Sequence, residues 1–352
     1  MSIHKTSQIR LLRYYERLMS DYRLRDDLTR TVIDGFAFPL GIVPGEIKPP
    51  TQGYTIAYNP GEDDDPDTYT FHIVVSHERV ASVLEKAFTM LPGEVYGIVE
   101  INSRDAYRAI DVYVARESVP CDDLLITWKI FENVLLEDAA IAAGANSEDP
   151  FIEVFLDQWK GISIIVPLDL RDKIEEMLNQ FDLEEVPQTW PLDEENQNSK
   201  PSITRSVIDL DEEASPDIDD MLWQMRYDWR LELRVDPSTN VDDAGKELGL
   251  TLWRAIIGAE SADGNPEDRA DVVIWATADS LEQLEQFVIE AFKDHDKWIL
   301  TEVFAVDRVA LDERPDTLTN LELKQTEAKV HLIEIEPWSD AEESAEDSSG
   351  DE

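Results

Sequence analysis

The chain has 352 residues, of which 77 are acidic and 31 are basic, so its formal net charge at pH 7 is −46. This charge makes bare nucleic acid and anionic membrane surfaces unsuitable partners, and it favours basic proteins or cations. A hydrophobic content of 42% excludes a chain that is disordered throughout, and the length is typical of two domains.

The acidic charge is spread along the chain. Residues 191–220 carry a net −8 and residues 339–352 a net −7, and without these two stretches the remainder still carries −31. Residues 1–30 are the exception, because their seven basic side chains outnumber four acidic ones. Two explanations stay open: adaptation of a whole proteome to salt, which keeps protein surfaces solvated, and a specific basic partner.

The N-terminal segment, residues 1–38, is predicted to be helical. Its apolar residues recur with helical spacing, and Gly35 and Pro39 end the pattern. The basic side chains of this segment are expected to pair with the acidic body of the same chain. The residues with helical spacing are Ile9, Leu12, Met19, Leu24, Leu28 and Val32.

A strand, a short turn and a helix then recur three times, each time followed by a further predicted strand. This rhythm predicts an α+β fold with two layered modules of βαβ or split-βαβ type, in which helices pack on mainly antiparallel or mixed sheets. Ser76, Asp169 and Ser280 are the predicted N-caps. The units are Tyr69–Val75 with a helix to Leu91, Ile162–Val166 with a helix to Phe181, and Val272–Thr277 with a helix to Phe292.

Other segments complete the predicted elements. Asn240 is a predicted N-cap for a helix through Leu248, Leu252 and Ile256, closed by Gly258. Further strands are predicted at 95–101, 109–115, 151–156, 183–186, 230–235, 298–306 and 330–335, with a hairpin turn at 157–161.

Residues 191–220 are the predicted domain boundary. They are rich in Asp, Glu, Ser, Asn and Pro and lack sustained apolar periodicity, which is typical of a linker. This acidic linker separates a first α+β domain, residues 39–190, from a second, residues 221–338. Residues 339–352 are predicted to form a disordered acidic tail.

The single cysteine, Cys121, excludes an intrachain disulfide and suits a reducing cytoplasm. The N-terminus lacks the apolar core of a secretory signal, and no apolar run approaches the roughly 18 residues that a membrane span needs. We therefore expect a soluble cytoplasmic protein without a membrane partner.

The candidate metal ligands are His72, His77 and Glu78, around one predicted strand end. Zinc sites need ligands that share a face, but His72 belongs to a strand face and His77 to the first turn of a helix. Cys121 lies beside Asp122 and Asp123, which oppose thiolate formation. The sequence thus predicts no metal site and no cofactor, and it carries none of the common nucleotide-binding or hydrolase motifs.

Nine tryptophans are the second unusual feature of the composition. In the second half, tryptophans beside Arg226, Arg230 and Arg234 offer a candidate binding face, although aromatic residues in alternating strands more often pack in the core. The sequence therefore favours a non-catalytic binding, regulatory or adaptor protein whose acidic surface meets a basic partner. The alternatives are a metal-assisted hydrolase using His72, His77 and nearby carboxylates, and an acidic mimic of nucleic acid.

The charge generates a prediction about salt. We expect the free energy of unfolding to rise steeply between 0.01 M and 0.1 M salt, because the range of charge repulsion falls from about 30 Å to about 10 Å. Urea unfolding at a series of salt concentrations measures this. A plateau by about 0.2 M supports a partner-directed surface, and a continued rise toward molar salt supports salt adaptation. Stability that is flat or falls from 0.01 M upward contradicts the prediction.

Overall fold

A computed structural model describes residues 22–61, 66–191, 200–201, 203–210, 217–263, 269–293, 295–322 and 325–337. By Cα packing the chain divides into two compact units. The first unit is Met1–Asn102 with Asp111–Arg234, and the second is Ser103–Ile110 with Val235–Glu352. The predicted domains, residues 39–190 and 221–338, were defined as segments that fold independently, and they stay a prediction.

The first unit is built on a nine-stranded sheet in the order β13-β7-β6-β9-β10-β11-β5-β4, with β8 paired to β6. Two small two-stranded sheets, β1–β2 and β3–β12, lie beside it in the same unit. The strands are β1 (Val32–Ile33), β2 (Phe36–Ala37), β3 (Ile42–Val43), β4 (Gly53–Asn59), β5 (Thr68–Val74), β6 (Glu94–Asn102), β7 (Ile110–Ala115), β8 (Val119–Pro120), β9 (Ile141–Glu148), β10 (Phe151–Leu156), β11 (Ile162–Pro167), β12 (Ile203–Thr204) and β13 (Leu231–Leu233).

All the helices of this unit that the structure describes contribute to one hydrophobic core on one face of the large sheet. Strand alternation decides which side chains join them, since successive residues point to opposite faces. In β5, Phe71 and Ile73 enter the core while His72 points to the other face. The helices are α1 (His77–Phe88), α2 (Cys121–Glu137), α3 (Arg171–Asn179) and α4 (Ile218–Trp229).

One close approach in this core requires a glycine. A Cβ atom at Gly97 would lie 2.9 Å from the ring of Trp229, closer than side chains approach one another. The absence of a side chain in β6 therefore makes room for the fully buried indole at the end of α4.

The predicted N-terminal helical segment is wrong where the structure describes it. Over residues 22–38, Leu24 forms a strand bridge to Ile208, and Val32–Ile33 pairs with Phe36–Ala37. The spacing of four residues that predicted a helix is also an even number, so it fits the alternation of extended chain. Residues 1–21, and the predicted tail 339–352, lie outside the described residues.

Ser76 is the N-cap residue of α1, as predicted, but its hydroxyl makes no capping hydrogen bond to the helix. The Ser76 hydroxyl accepts a hydrogen bond from the Ala37 N–H (2.8 Å) and donates one to Glu78 (2.6 Å). The hydroxyl therefore links β2 to the start of α1.

The second unit has a four-stranded antiparallel sheet in the order β16-β14-β15-β17, with one helix packed on it. The predicted strand 272–277 and the helix after Ser280 are confirmed, and the Ser280 hydroxyl accepts from the Gln283 N–H. The predicted helix through Leu248, Leu252 and Ile256 is wrong, because Leu252 and Ile256 lie in β14 and Leu248 precedes that strand. The elements are β14 (Thr251–Ser261), β15 (Arg269–Ala278), α5 (Leu281–Phe292), β16 (Trp298–Val309) and β17 (Lys329–Pro337).

The structure confirms the α+β class, with helices on antiparallel sheets. Among the described residues, no helix is both long and apolar enough to cross a bilayer.

A buried ion pair organises the second unit. The Arg308 Nε atom donates to Asp105 Oδ2 at 2.9 Å, and the Arg308 backbone N–H donates to the same oxygen at 2.7 Å. A second guanidinium nitrogen donates to Asn240 Oδ1 and to the Val241 carbonyl. The guanidinium also lies over the Tyr107 and Trp253 rings. Through this pair, residues 103–110 become part of the second unit although they are distant from it in sequence.

Breaking this pair has a predicted cost. We expect Asp105→Ala to lower the free energy of unfolding by about 3–5 kcal/mol, because Arg308 would keep a buried charge without its partner. Glu232→Ala is the matched control, since the Arg116–Glu232 pair is exposed and is worth about 1 kcal/mol or less. Urea unfolding followed by tryptophan fluorescence measures both. Equal losses in the two variants would contradict this interpretation.

Candidate functional site

A polar pocket of about 540 Å³ opens on the first unit, within the size range of small-ligand sites. It lies on the face of the nine-stranded sheet that points away from α1–α4, which we call the polar face. Its floor comes from β4, β5 and β11, and residues 187–190 and Lys200 form part of its wall. The polar side chains that line it are Thr55, His72, Asp157, Ser163, Gln188, Thr189 and Lys200.

The floor of the pocket is a row of three side chains across neighbouring strands. In the antiparallel register, Thr55 of β4 and Ser163 of β11 both lie opposite His72 of β5. Burial by the surrounding strands lowers the pKa of His72, with Asp157 opposing that shift and Lys200 adding to it. In its neutral form, the His72 ring can both donate and accept a hydrogen bond.

Among the described residues, His72 makes no hydrogen bond to either hydroxyl of this row. A nucleophile held against a general base is the signature of acyl transfer and related chemistry.

A lysine, a carboxylate and two indoles meet at the rim of the pocket. The Lys200 Nζ atom lies 3.9 Å from Asp157 Oδ2 and 4.1 Å from the centre of the Trp159 ring. The Trp190 ring, which also lines the pocket, is 6.0 Å from the same ammonium. Partial burial raises the pKa of Asp157, although Lys200 and the Gly161 N–H act to lower it. The neighbourhood therefore favours a positive charge beside this carboxyl group.

The turn after β10 holds a second lysine in the interior. Lys160 is 3% exposed, and its Nζ atom donates to the Ile141 carbonyl at 2.7 Å. Burial lowers the pKa of Lys160 to about 8, while Asp138, Asp157 and Glu137 act to raise it. The residue is too enclosed to meet a ligand, so we assign it a structural role in placing the turn and Asp157.

Two further carboxylates lie on the polar face, at Glu100 of β6 and Glu153 of β10. Burial raises the pKa of both, and repulsion from Glu153 and Asp157 adds to the shift of Glu100. Within the described part of the chain, neither glutamate has an ion-pair partner, and Glu153 accepts a hydrogen bond only from Asn146 across the strand pair. Together with Asp157, they form a half-buried acidic surface whose negative charge is incompletely compensated.

His77 belongs to a different polar cluster, at the C-terminal end of α2. Its Nε2 atom lies 3.0 Å from Glu137 Oε1. Arg30 also pairs with Glu137, and the Leu40 N–H donates to it at 2.7 Å. Burial alone would raise the pKa of Glu137, but the hydrogen bonds from His77, Arg30 and Leu40 outweigh it and lower the pKa to about 2. This cluster fastens the N-terminal strands to α1 and α2.

The structure therefore separates the candidate ligands that the sequence places close together. His72 lines the pocket, His77 pairs with Glu137, and Glu78 accepts from the Ser76 hydroxyl. Cys121 is buried at the start of α2. Burial is the main cause that raises the pKa of its thiol, and the negative charge of Asp122 raises it further. In the part of the chain that the structure describes, no three His, Cys, Asp or Glu side chains are grouped to hold a metal ion.

Sequence reasoning missed most of the pocket. From the sequence, Asp157 belongs only to a hairpin turn and Lys200 only to a linker, yet both line the pocket. The one sequence signal for this site is that Lys200 is the single lysine in residues 191–220, which carry a net −8.

Comparison of the chain with protein-family models, with curated proteins and with solved structures finds no match.

The Glu137 cluster generates a prediction about acid stability. Because the folded pKa of about 2 lies below the ordinary value of 4.5, the cluster stabilises the fold above pH 4.5 and loses its effect as the pH falls toward 2. We expect this single group to account for about 3 kcal/mol of the loss of unfolding free energy over that range.

The test is urea unfolding between pH 2 and 6, with Glu137→Gln expected to be less stable near neutrality and to lose less stability in acid. Glu85→Gln, at an exposed position of α1, is the matched control and should follow the unmodified protein. An unchanged acid slope in Glu137→Gln would contradict the assignment.

Proposed function

We propose that this chain is a non-catalytic binding protein, of regulatory or adaptor type, whose acidic surface meets a basic partner in the cytoplasm. The observation that carries the proposal is the acidic surface formed by Glu100, Glu153 and Asp157. A surface that merely keeps a protein in solution places its carboxylates in water, where their ionisation costs little. These three lie half-buried on a sheet face, and burial raises the pKa of each.

A cation supplied by the partner would stabilise the ionised forms of these carboxylates. A lysine or arginine side chain placed beside Glu100 and Glu153 would favour their ionised forms and remove their mutual repulsion. Binding would then release protons, and affinity would rise with pH while the carboxylates are still titrating. The large negative charge of the whole chain would add long-range attraction, which speeds encounter with a basic partner and weakens in salt.

The two alternatives from the sequence have less local support. A metal-assisted hydrolase would need His72 and His77 to act together, and they belong to separate clusters. A mimic of nucleic acid would present regularly spaced, solvated charges, whereas the surface singled out above is half-buried. We therefore keep both as alternatives to the binding proposal.

The proposal predicts a specific loss of affinity. We expect Glu100→Gln with Glu153→Gln to weaken binding of a fluorescent oligolysine peptide about tenfold, because two carboxylates of the binding surface lose their charge. The matched control is Glu85→Gln with Glu176→Gln, which removes the same charge from exposed positions of α1 and α3.

Fluorescence anisotropy at about 0.05 M salt, where surface charge is only partly screened, measures the affinities. The unmodified protein should bind more tightly at pH 7 than at pH 5, and the site variant should lose part of that difference. Equal weakening by the site and control variants would mean that the peptide responds to net charge alone, and the proposal would fail.

A further inference from the structure

Asp157, Trp159 and Trp190 surround the ammonium of Lys200 in the first unit. The charge lies over the face of one indole at 4.1 Å and near a second at 6.0 Å, with a carboxylate oxygen at 3.9 Å. A carboxylate and two aromatic faces around one cation are the chemistry by which proteins recognise ammonium groups, including methylated lysine. We call these three residues the ammonium cage.

The occupant of the cage comes from a segment that is otherwise acidic. Lys200 is the single basic residue between 191 and 204, so the cage holds the one lysine that this part of the chain offers. The Trp159 Nε1 atom donates to the Pro201 carbonyl at 3.0 Å, which fixes the indole beside the backbone that carries Lys200. About 30% of the Lys200 side chain remains exposed, so the cation is not sealed inside the protein.

The cage also adjoins free space. Asp157, Trp190 and Lys200 all line the pocket of about 540 Å³, and the His72 ring lies on its floor. An incoming side chain could therefore reach Asp157 through the pocket without separating any strands. The pocket offers hydroxyl groups from Thr55 and Ser163 for the polar backbone of a peptide.

We propose that the ammonium cage is a binding site for a lysine side chain of the basic partner, and that Lys200 occupies it as an internal competitor. This inference rests on the proposed function and names the group of the partner that is recognised. An external lysine must displace Lys200, so the free protein binds more weakly than the cage alone would allow. A quaternary ammonium should bind at least as well as a primary one, since the aromatic faces favour a weakly hydrated cation.

The test compares two substitutions of the occupant. Lys200→Ala empties the cage and is expected to bind Nα-acetyl-lysine amide about tenfold more tightly than the unmodified protein, which is the range of a partly desolvated cation–π contact. Lys200→Arg keeps a resident cation and should show no such gain. Nα-acetyl-norleucine amide, which has no ammonium, should bind to neither variant. Isothermal titration and quenching of tryptophan fluorescence are the two measurements.

A second pair of variants locates the gain. In the Lys200→Ala background, Asp157→Asn and Trp159→Leu should each abolish the added affinity, while thermal melts show whether they remain folded. If either variant unfolds, Trp190→Phe is used in its place. This variant keeps an aromatic face in the cage, so its affinity should lie between those of Lys200→Ala and the unmodified protein.

The outcomes separate this inference from the proposed function. Equal affinities in Lys200→Ala and Lys200→Arg, or a gain that survives in a folded Asp157→Asn or Trp159→Leu variant, would overturn the cage as the lysine site. If oligolysine binding still depends on Glu100 and Glu153 in that case, the proposal of a basic partner is retained. Only the proposal that the cage recognises a lysine of that partner fails. If neither set of variants affects binding, both proposals fail.

Discussion

The first unit is governed by the need to satisfy two different faces of one wide sheet. Helices α1–α4 bury one face under apolar side chains, and the other face carries a mixture of polar and apolar side chains. The segments around Phe36, Phe38 and Trp190 cover part of this second face, where they pack with Val74. The pocket and the cage both use Trp190, which belongs to this covering cluster.

Partial cover explains why acidic residues behave differently on this face and elsewhere. The Arg116–Glu232 pair is mostly exposed, so water screens both charges. Glu137 has the same side chain but different surroundings. It is buried with His77, Arg30 and a backbone N–H, which together favour its ionised form. Glu100 and Glu153 have the burial without the cationic partners, and this intermediate state makes them sensitive to a cation from outside.

Local sequence pattern was sufficient for some elements and ambiguous for others. The segment Phe71–His72–Ile73 alternates apolar and polar residues at a period that only a strand fits, and its strand was predicted correctly. Leu248, Leu252 and Ile256 are spaced by four, which satisfies one helical turn and two strand repeats alike. The β-branched and aromatic residues of β14 favour a strand. The prediction of a helix relied instead on Asn240, which has the residue type of an N-cap. The same ambiguity misled the prediction for residues 22–33.

The candidate site was less predictable than the fold because its parts are distant in sequence. Alternation places His72 on the polar face, but nothing local brings Lys200 to Trp159 or Trp190. That contact depends on how the chain returns after α3, and such a path is a property of tertiary packing. A single lysine in an acidic stretch is a weak signal until its surroundings are known.

The inserted segment 103–110 has a consequence for how the protein is made. Asp105 leaves the ribosome 203 residues before Arg308, and at about 5–20 residues per second this interval lasts about 10–40 s. During that time the first unit can already be synthesised in full. The eight residues 103–110 within its sequence cannot yet pair with Arg308, which has not been synthesised. The second unit thus has no contiguous gene segment, and a cut at residue 234 would leave its central ion pair divided between two polypeptides.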